Sequence, residues 1–144
     1  MIALTAGAIA TLTGGRLLAE GADPDVLVEG PVVTDSRLAK PGGLYVARVG
    51  DQADGHDFVA AAAEFGALLA LTTRPVGDYP CVVVEDTQDA FVALARATVD
   101  AVPDLTIIGI TGSSGKTSTK DLLGQVLASH GETIAPEGSF NSEV

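Results

Sequence analysis

Between an apolar run, Thr106 to Thr111 (TIIGIT), and a stretch carrying Leu122, Leu123, Val126 and Leu127 at helical spacing lies Gly112-Ser113-Ser114-Gly115-Lys116-Thr117. Residues of these types in this order are suited to holding phosphate. Glycines let successive backbone N–H groups turn inward without a Cβ clash, and a helix start offers a dipole that favours negative charge. Lys116 is placed to reach terminal phosphates and act as the catalytic cation, and the Thr117 hydroxyl to ligate a magnesium ion. The expected nucleotide site comprises Gly112, Ser113, Ser114, Gly115, Lys116, Thr117 and Ser118, with Mg2+ as the accompanying cation. The loop departs from the usual P-loop at one position. Ile110 stands where a glycine is normal, leaving a shorter TGxxGKT form, so a Gly/Ser turn that merely caps a helix is the competing reading.

Other reactive side chains give weaker signals. Asp86, at the end of the strand-like CVVVED, reads as a helix cap rather than as a second metal ligand, because it lies upstream of the loop. His56 beside Asp57 reads as a surface or capping histidine, and His130 beside Gly131 as a complement to a helix dipole. Cys81 in an apolar run reads as packing. No Ser/His/Asp or Cys/His arrangement stands out, so a covalent side-chain nucleophile is not expected.

Composition bounds the partners. The 144 residues carry 8 Lys+Arg against 19 Asp+Glu, a net charge of -11, and this field opposes nucleic acid and anionic membranes. An anionic ligand must therefore be held locally, and two of the three lysines, Lys116 and Lys120, lie in or just after the loop. With 47% hydrophobic and 19% charged residues the chain is globular in character. One cysteine excludes an intrachain disulfide, and MIALTAGAIATLTGG lacks a basic leader and an unbroken apolar span, so no membrane association and a cytoplasmic location are expected.

The elements that must position these residues alternate in type, which predicts an α/β fold. A short helix capped by Thr5 and ended by Gly14 and Gly15 buries Ile9 and Leu12. Strands follow at Val26 to Thr34 and Leu44 to Val49. A helix over His56 to Phe65 carries Phe58, Ala61, Ala62 and Phe65 on one face. Strands at Ala67 to Thr73 and Cys81 to Asp86 precede a helix whose stripe is Phe91, Leu94, Ala95, Thr98, Val99 and Val102, broken at Pro103. The last unit is the strand Thr106 to Thr111, the loop, and a helix ending near Gly131.

Taken in order, Thr34-Asp35-Ser36-Arg37, Pro41-Gly42-Gly43-Leu44-Tyr45-Val46-Ala47, Asp54-Gly55-His56-Asp57-Phe58, ITGSSGKTSTK (Ile110 to Lys120) and APEGSFNSE (Ala135 to Glu143) resemble the ATP-dependent Mur ligases, which build the peptide stem of peptidoglycan. The resemblance runs from about residue 30 to the end. It implies a small mixed α/β N-terminal domain for the UDP end of the substrate over residues 1–85, and over 86–144 the first strand, P-loop and helix of a central ATPase domain, incomplete. The second metal ligand and a lysine that is often carbamylated in the family would lie in later strands, so a chain truncated in this way is expected to lack ligase activity alone, and residues after about 104 are expected to be mobile or held by neighbours.

Ser113-Ser114, Lys120 and Ser139-Phe140-Asn141 favour the member that joins D-alanyl-D-alanine to UDP-N-acetylmuramoyl-tripeptide through an acyl phosphate, as a monomer when full length. The loop Asp51-Gln52-Ala53 instead favours the sibling that adds the third amino acid, and a nucleotide-binding module without ligase chemistry is the third reading. The resemblance assigns Asp35, Ser36 and Arg37 to the UDP part, against the alternative of an Asx turn with a surface arginine. It also assigns Gln52 and Ala53 there, since the Gln52 amide offers a uracil edge a donor and an acceptor together. Asn141 belongs to the cleft between nucleotide and substrate.

Overall fold

Gly43-Leu44-Tyr45-Val46 is buried throughout, and a strand buried on both faces must be covered on both. The structure, a computed structural model that describes residues 2–18, 22–50 and 53–136, meets this demand with helices on either side of a sheet. The elements are β1 (Leu4–Thr5), α1 (Ala6–Thr13), β2 (Arg16–Leu18), β3 (Leu27–Val28), β4 (Val32–Val33), β5 (Gly43–Val46), α2 (Val59–Glu64), β6 (Ala67–Thr72), β7 (Cys81–Val83), α3 (Thr87–Asp100) and α4 (Lys116–Ala128). The main sheet has the order β2-β7-β6-β5-β4, parallel except for antiparallel β2 at its edge, and β1 pairs with β3 separately.

Strand alternation sorts the core into two layers. Leu44, Val46, Leu69, Leu71 and Val82 meet Ile9 and Ala10 of α1 and Ala90 and Leu94 of α3. On the opposite face Tyr45, Ala47, Ala67, Ala70 and Cys81 meet Val59 and Ala62 of α2. Cys81 is a buried packing residue, as its setting predicted, and burial pushes its thiol pKa up.

The compact unit runs through Pro103, past the expected boundary at residue 85. Its reason is α3, which seats Ala90 and Leu94 in the first core layer, with Asp86 capping it by accepting from Gln88 N and Asp89 N at 2.6 and 3.0 Å. The other cap also holds: Thr5 Oγ1 accepts from Ala8 N at 3.1 Å, and Gly14 ends α1.

Four other expectations are corrected. The single strand over Val26 to Thr34 is two short strands in different sheets, separated by Gly30 and by Pro31, which lacks an N–H for the ladder. Leu12 is exposed, and so are Val99 and Val102 beyond the end of the α3 contact. Arg16–Leu18 is a strand with too few residues to show a period. Helix α2 begins as a 3-10 turn (Gly55–Phe58) and buries Val59 and Ala62, leaving Phe58 and Phe65 half exposed.

The second unit starts at Asp104. Here Thr106 to Thr111 forms no strand, since none of its residues pairs with another strand among the described residues. Helix α4 forms where expected, but none of its residues is buried. No helix in the described residues is long and apolar enough to cross a membrane.

A cleft at the strand ends and a phosphate-type loop

In a mostly parallel sheet, ligands are held beyond the carboxyl ends of the strands, where the loops diverge. The first unit has a cleft of about 950 Å³ in that position, with Thr34 to Arg37 following β4 and Arg48 to Gly50 following β5. Ala53 and Gly55 close one side, and Phe58, Ala61 and Phe65 supply an apolar wall. The half-exposed phenylalanines of α2 thus belong to the cleft rather than the core, a distinction that helical spacing alone does not make.

Asp35 accepts from the backbone N–H of Arg37 at 3.0 Å, which starts a 3-10 turn (Ser36–Leu38) and turns the chain at the end of β4. The same carboxylate takes the Arg37 guanidinium side-on, Nε donating to Oδ1 at 2.9 Å and Nη2 to Oδ2 at 2.6 Å. Arg37 is 82% exposed, so its other N–H groups remain at the cleft mouth. The Arg37 side chain, then its backbone N–H, draw the Asp35 carboxyl down to about 2. The segment is therefore an Asx turn with a surface arginine, and it lines the cleft. Ser36 is buried and also lines it.

The opposite lip is a hairpin whose described arms, residues 48–50 and 53–55, run antiparallel. Val49 pairs with Asp54, Gly50 N donates to Ala53 O at 2.9 Å, and Gly55 N donates to Arg48 O at 2.8 Å. A Cβ on Gly55 would stand 2.6 Å from Arg48 O and 2.7 Å from Arg48 N, so the close approach needs glycine. Tyr45 supports the hairpin from beneath by donating its hydroxyl to Gly55 O at 2.9 Å. Burial first, then the charges of Asp35 and Asp54, push the Tyr45 pKa up. The structure thus brings Asp35, Ser36, Arg37 and Ala53 to one cleft, while Gln52 and Asn141 lie outside the described residues.

The residues that sequence reasoning undervalued lie behind this hairpin. His56 is 2% exposed, not a surface group. Its Nε2 accepts from Thr73 N at 2.9 Å, so the ring proton sits on Nδ1, which donates to Asp54 Oδ1 at 2.5 Å. Arg74 Nη2 donates to Asp54 Oδ2 at 2.9 Å. The His56 backbone N–H and ring, and then Arg74, hold the Asp54 carboxyl far below the usual carboxylate range. The Asp54-Gly55-His56 spacing carried only the cap; the partners, Thr73 and Arg74, come from the bend that follows β6.

The loop of the second unit has the features expected of a phosphate site. Gly115 caps α4 with φ +77°, a left-handed conformation that side chains rarely adopt, and no side chain caps the helix. The first-turn N–H groups of α4, which have no acceptor within a helix, are therefore directed at the loop mouth. Lys116 Nζ donates across it to Gly112 O at 2.6 Å. Ser113, Ser114, Thr117 and Ser118 are exposed around it. No cluster of three His, Cys, Asp or Glu that could hold a metal occurs among the described residues. The exposed Thr117 hydroxyl is an oxygen that would suit a magnesium ion.

No protein-family model matches the chain. Over its whole length it is 44% identical to the UDP-N-acetylmuramoyl-tripeptide--D-alanyl-D-alanine ligase of Mycobacterium bovis, covering 33% of that protein. A crystal structure of MurF from Acinetobacter baumannii superposes with a TM-score of 0.76 at 33% identity, over 88% of this chain and 28% of that one. The MurF ligase of Thermotoga maritima in complex with ADP gives 0.58 at 35% identity, over 68% of this chain and 23% of that one. These likenesses extend over most or all of this chain and are to members of the Mur ligase family. The relatives named are its D-alanyl-D-alanine-adding members, and the chain spans about a third of the length of the curated ones.

Proposed function

We infer that the chain forms part of an ATP-dependent amide ligase that joins D-alanyl-D-alanine to UDP-N-acetylmuramoyl-tripeptide in the cytoplasmic synthesis of peptidoglycan precursors. The observation that carries this reading is the cleft in which Asp35, Ser36 and Arg37 meet Ala53 beyond the strand ends. The first unit would hold the UDP end there: the outward N–H groups of Arg37 suit a diphosphate, and the apolar wall suits the rest of a nucleoside. The second unit would hold ATP on the residues from Gly112 to Ser118. The complex of the Thermotoga maritima neighbour with ADP supports that assignment.

In the reaction proposed, the free carboxylate of the tripeptide receives a phosphoryl group from ATP, and the amine of D-alanyl-D-alanine displaces phosphate from the acyl phosphate. The demand on the protein is electrostatic, because charge spreads over the transferred phosphoryl oxygens. Lys116 and the loop N–H groups would meet that charge, with Lys116 leaving Gly112 O for phosphate. Magnesium, held through Thr117, would neutralise further phosphate charge when bound. No side-chain nucleophile is needed. The full-length enzyme is proposed to be monomeric, and this chain alone to lack turnover.

Calorimetric titration with UDP-N-acetylmuramoyl-tripeptide, and separately with Mg-ATP, tests the two halves. Binding of the UDP ligand that weakens about tenfold in Arg37→Ala is expected, from loss of a charged hydrogen-bond donor. Mg-ATP binding that disappears in Lys116→Ala is expected of the loop. Binding of Mg-ATP with no binding of the UDP ligand would replace this reading with that of a nucleotide module.

A further inference from the structure

We propose that His56, Asp54 and Arg74 form a positioning clamp that fixes the cleft hairpin to the end of β6 and so presets the cleft for its ligand. The direction of the side chains in the returning arm is the first ground. Ala53 and Gly55 line the cleft, whereas Asp54 between them does not, and its carboxylate meets His56 and Arg74 instead. One face of this segment therefore serves the cleft and the other serves the clamp.

The second ground is the completeness of the chain of hydrogen bonds. Thr73 N donates to His56 Nε2, His56 Nδ1 and the His56 backbone N–H donate to Asp54 Oδ1, and Arg74 donates to Asp54 Oδ2. Residues 73 and 74, consecutive in the bend just after β6, thus grip both ends of one His–Asp pair. Imidazole suits this position because it accepts at one nitrogen and donates at the other across the width of a ring. An asparagine retains only a group near Nδ1. Since His56 is buried and does not line the cleft, it acts through Asp54 and the hairpin, not by touching the ligand.

Preorganisation of this kind is read as affinity without loss of fold. The experiment compares the 144-residue chain with Arg74→Ala, Arg74→Lys and His56→Asn, using UDP as the probe on the reading that the cleft takes the UDP end of the substrate. Arg74 is half exposed, so its variants remain folded even where His56→Asn does not. Titrations are run well below the thermal transition, where every molecule is folded. Amide exchange is followed at Gly50 and Gly55, whose N–H groups close the hairpin.

Arg74→Ala is expected to weaken UDP binding several-fold and His56→Asn on the order of tenfold, with Arg74→Lys restoring most of the loss. Exchange at Gly50 and Gly55 is expected to quicken in the two weakened variants, while the amides of β5 and β6 keep their protection. Unchanged exchange at the hairpin overturns the clamp, and so does quickened exchange with unchanged affinity. Failure of the unaltered chain to bind UDP counts against the UDP reading instead, and the exchange comparison then decides by itself whether the clamp exists.

Discussion

The two units of this chain share one alternating pattern of apolar runs and helices, yet among the described residues only one of them builds a core. In the first, Leu44, Leu69 and Leu71 are fully buried between helices. In the second, Ile107 is 69% and Leu122 is 64% exposed, and the run from Thr106 to Thr111 has no strand partner among the described residues. The lesson is that an apolar run specifies a strand only when another strand lies beside it to satisfy its N–H and C=O groups. A helix is less dependent on neighbours, since its hydrogen bonds are internal, and α4 forms with no buried residue. The phosphate-type loop needs only a glycine turn and that helix start, so its local geometry is present without a core around it.

Several measurements would sharpen or break this contrast. Amide exchange should differ most: residues 105–127 are expected to exchange at least about a thousandfold faster than β5 and β6, because an isolated helix of this length is marginal in water. Comparable protection in both units would remove the distinction. Leu69→Ala should cost about 2–5 kcal/mol by urea denaturation, from lost burial and the cavity left behind, whereas Leu122→Ala should stay within about 0.5 kcal/mol. Gly55→Ala should cost about 1–3 kcal/mol in the same assay, since its Cβ meets backbone that cannot move aside. Asp86→Ala should cost about 1 kcal/mol, by loss of the α3 cap.

The smallest effect is expected from pH. Folding lowers the Asp35 carboxyl from 3.8 to about 2, so its contribution is full above the unfolded value and is lost as pH falls through the folded one. The urea midpoint of the first unit should therefore decline in acid below pH about 4, and Asp35→Asn should blunt that decline slightly, because the group is exposed and screened.

Much of this was legible in the chain itself. Thr5 and Asp86 cap helices because their side chains bond to N–H groups two or three residues away. Gly115 and Lys116 declare a loop because the required backbone conformation and charge belong to residue types. The Asp35–Arg37 turn is equally local. What spacing misassigned was the side on which apolar residues fall. Phe58 and Phe65 repeat at helical intervals like a core stripe, but face a cleft because Val59 and Ala62 already fill the space against the sheet.

The sequence by itself determined the helices, the caps and the phosphate-type loop, since each depends on hydrogen bonds and dihedral preferences within a few residues. Only the tertiary structure decided that α3 belongs to the first unit, that residues 34–37 and 53 share a cleft, and that His56 is buried against Thr73 and Asp54. Those facts depend on which strands become neighbours. That choice is made by packing two faces of one sheet at once, and no local window contains it.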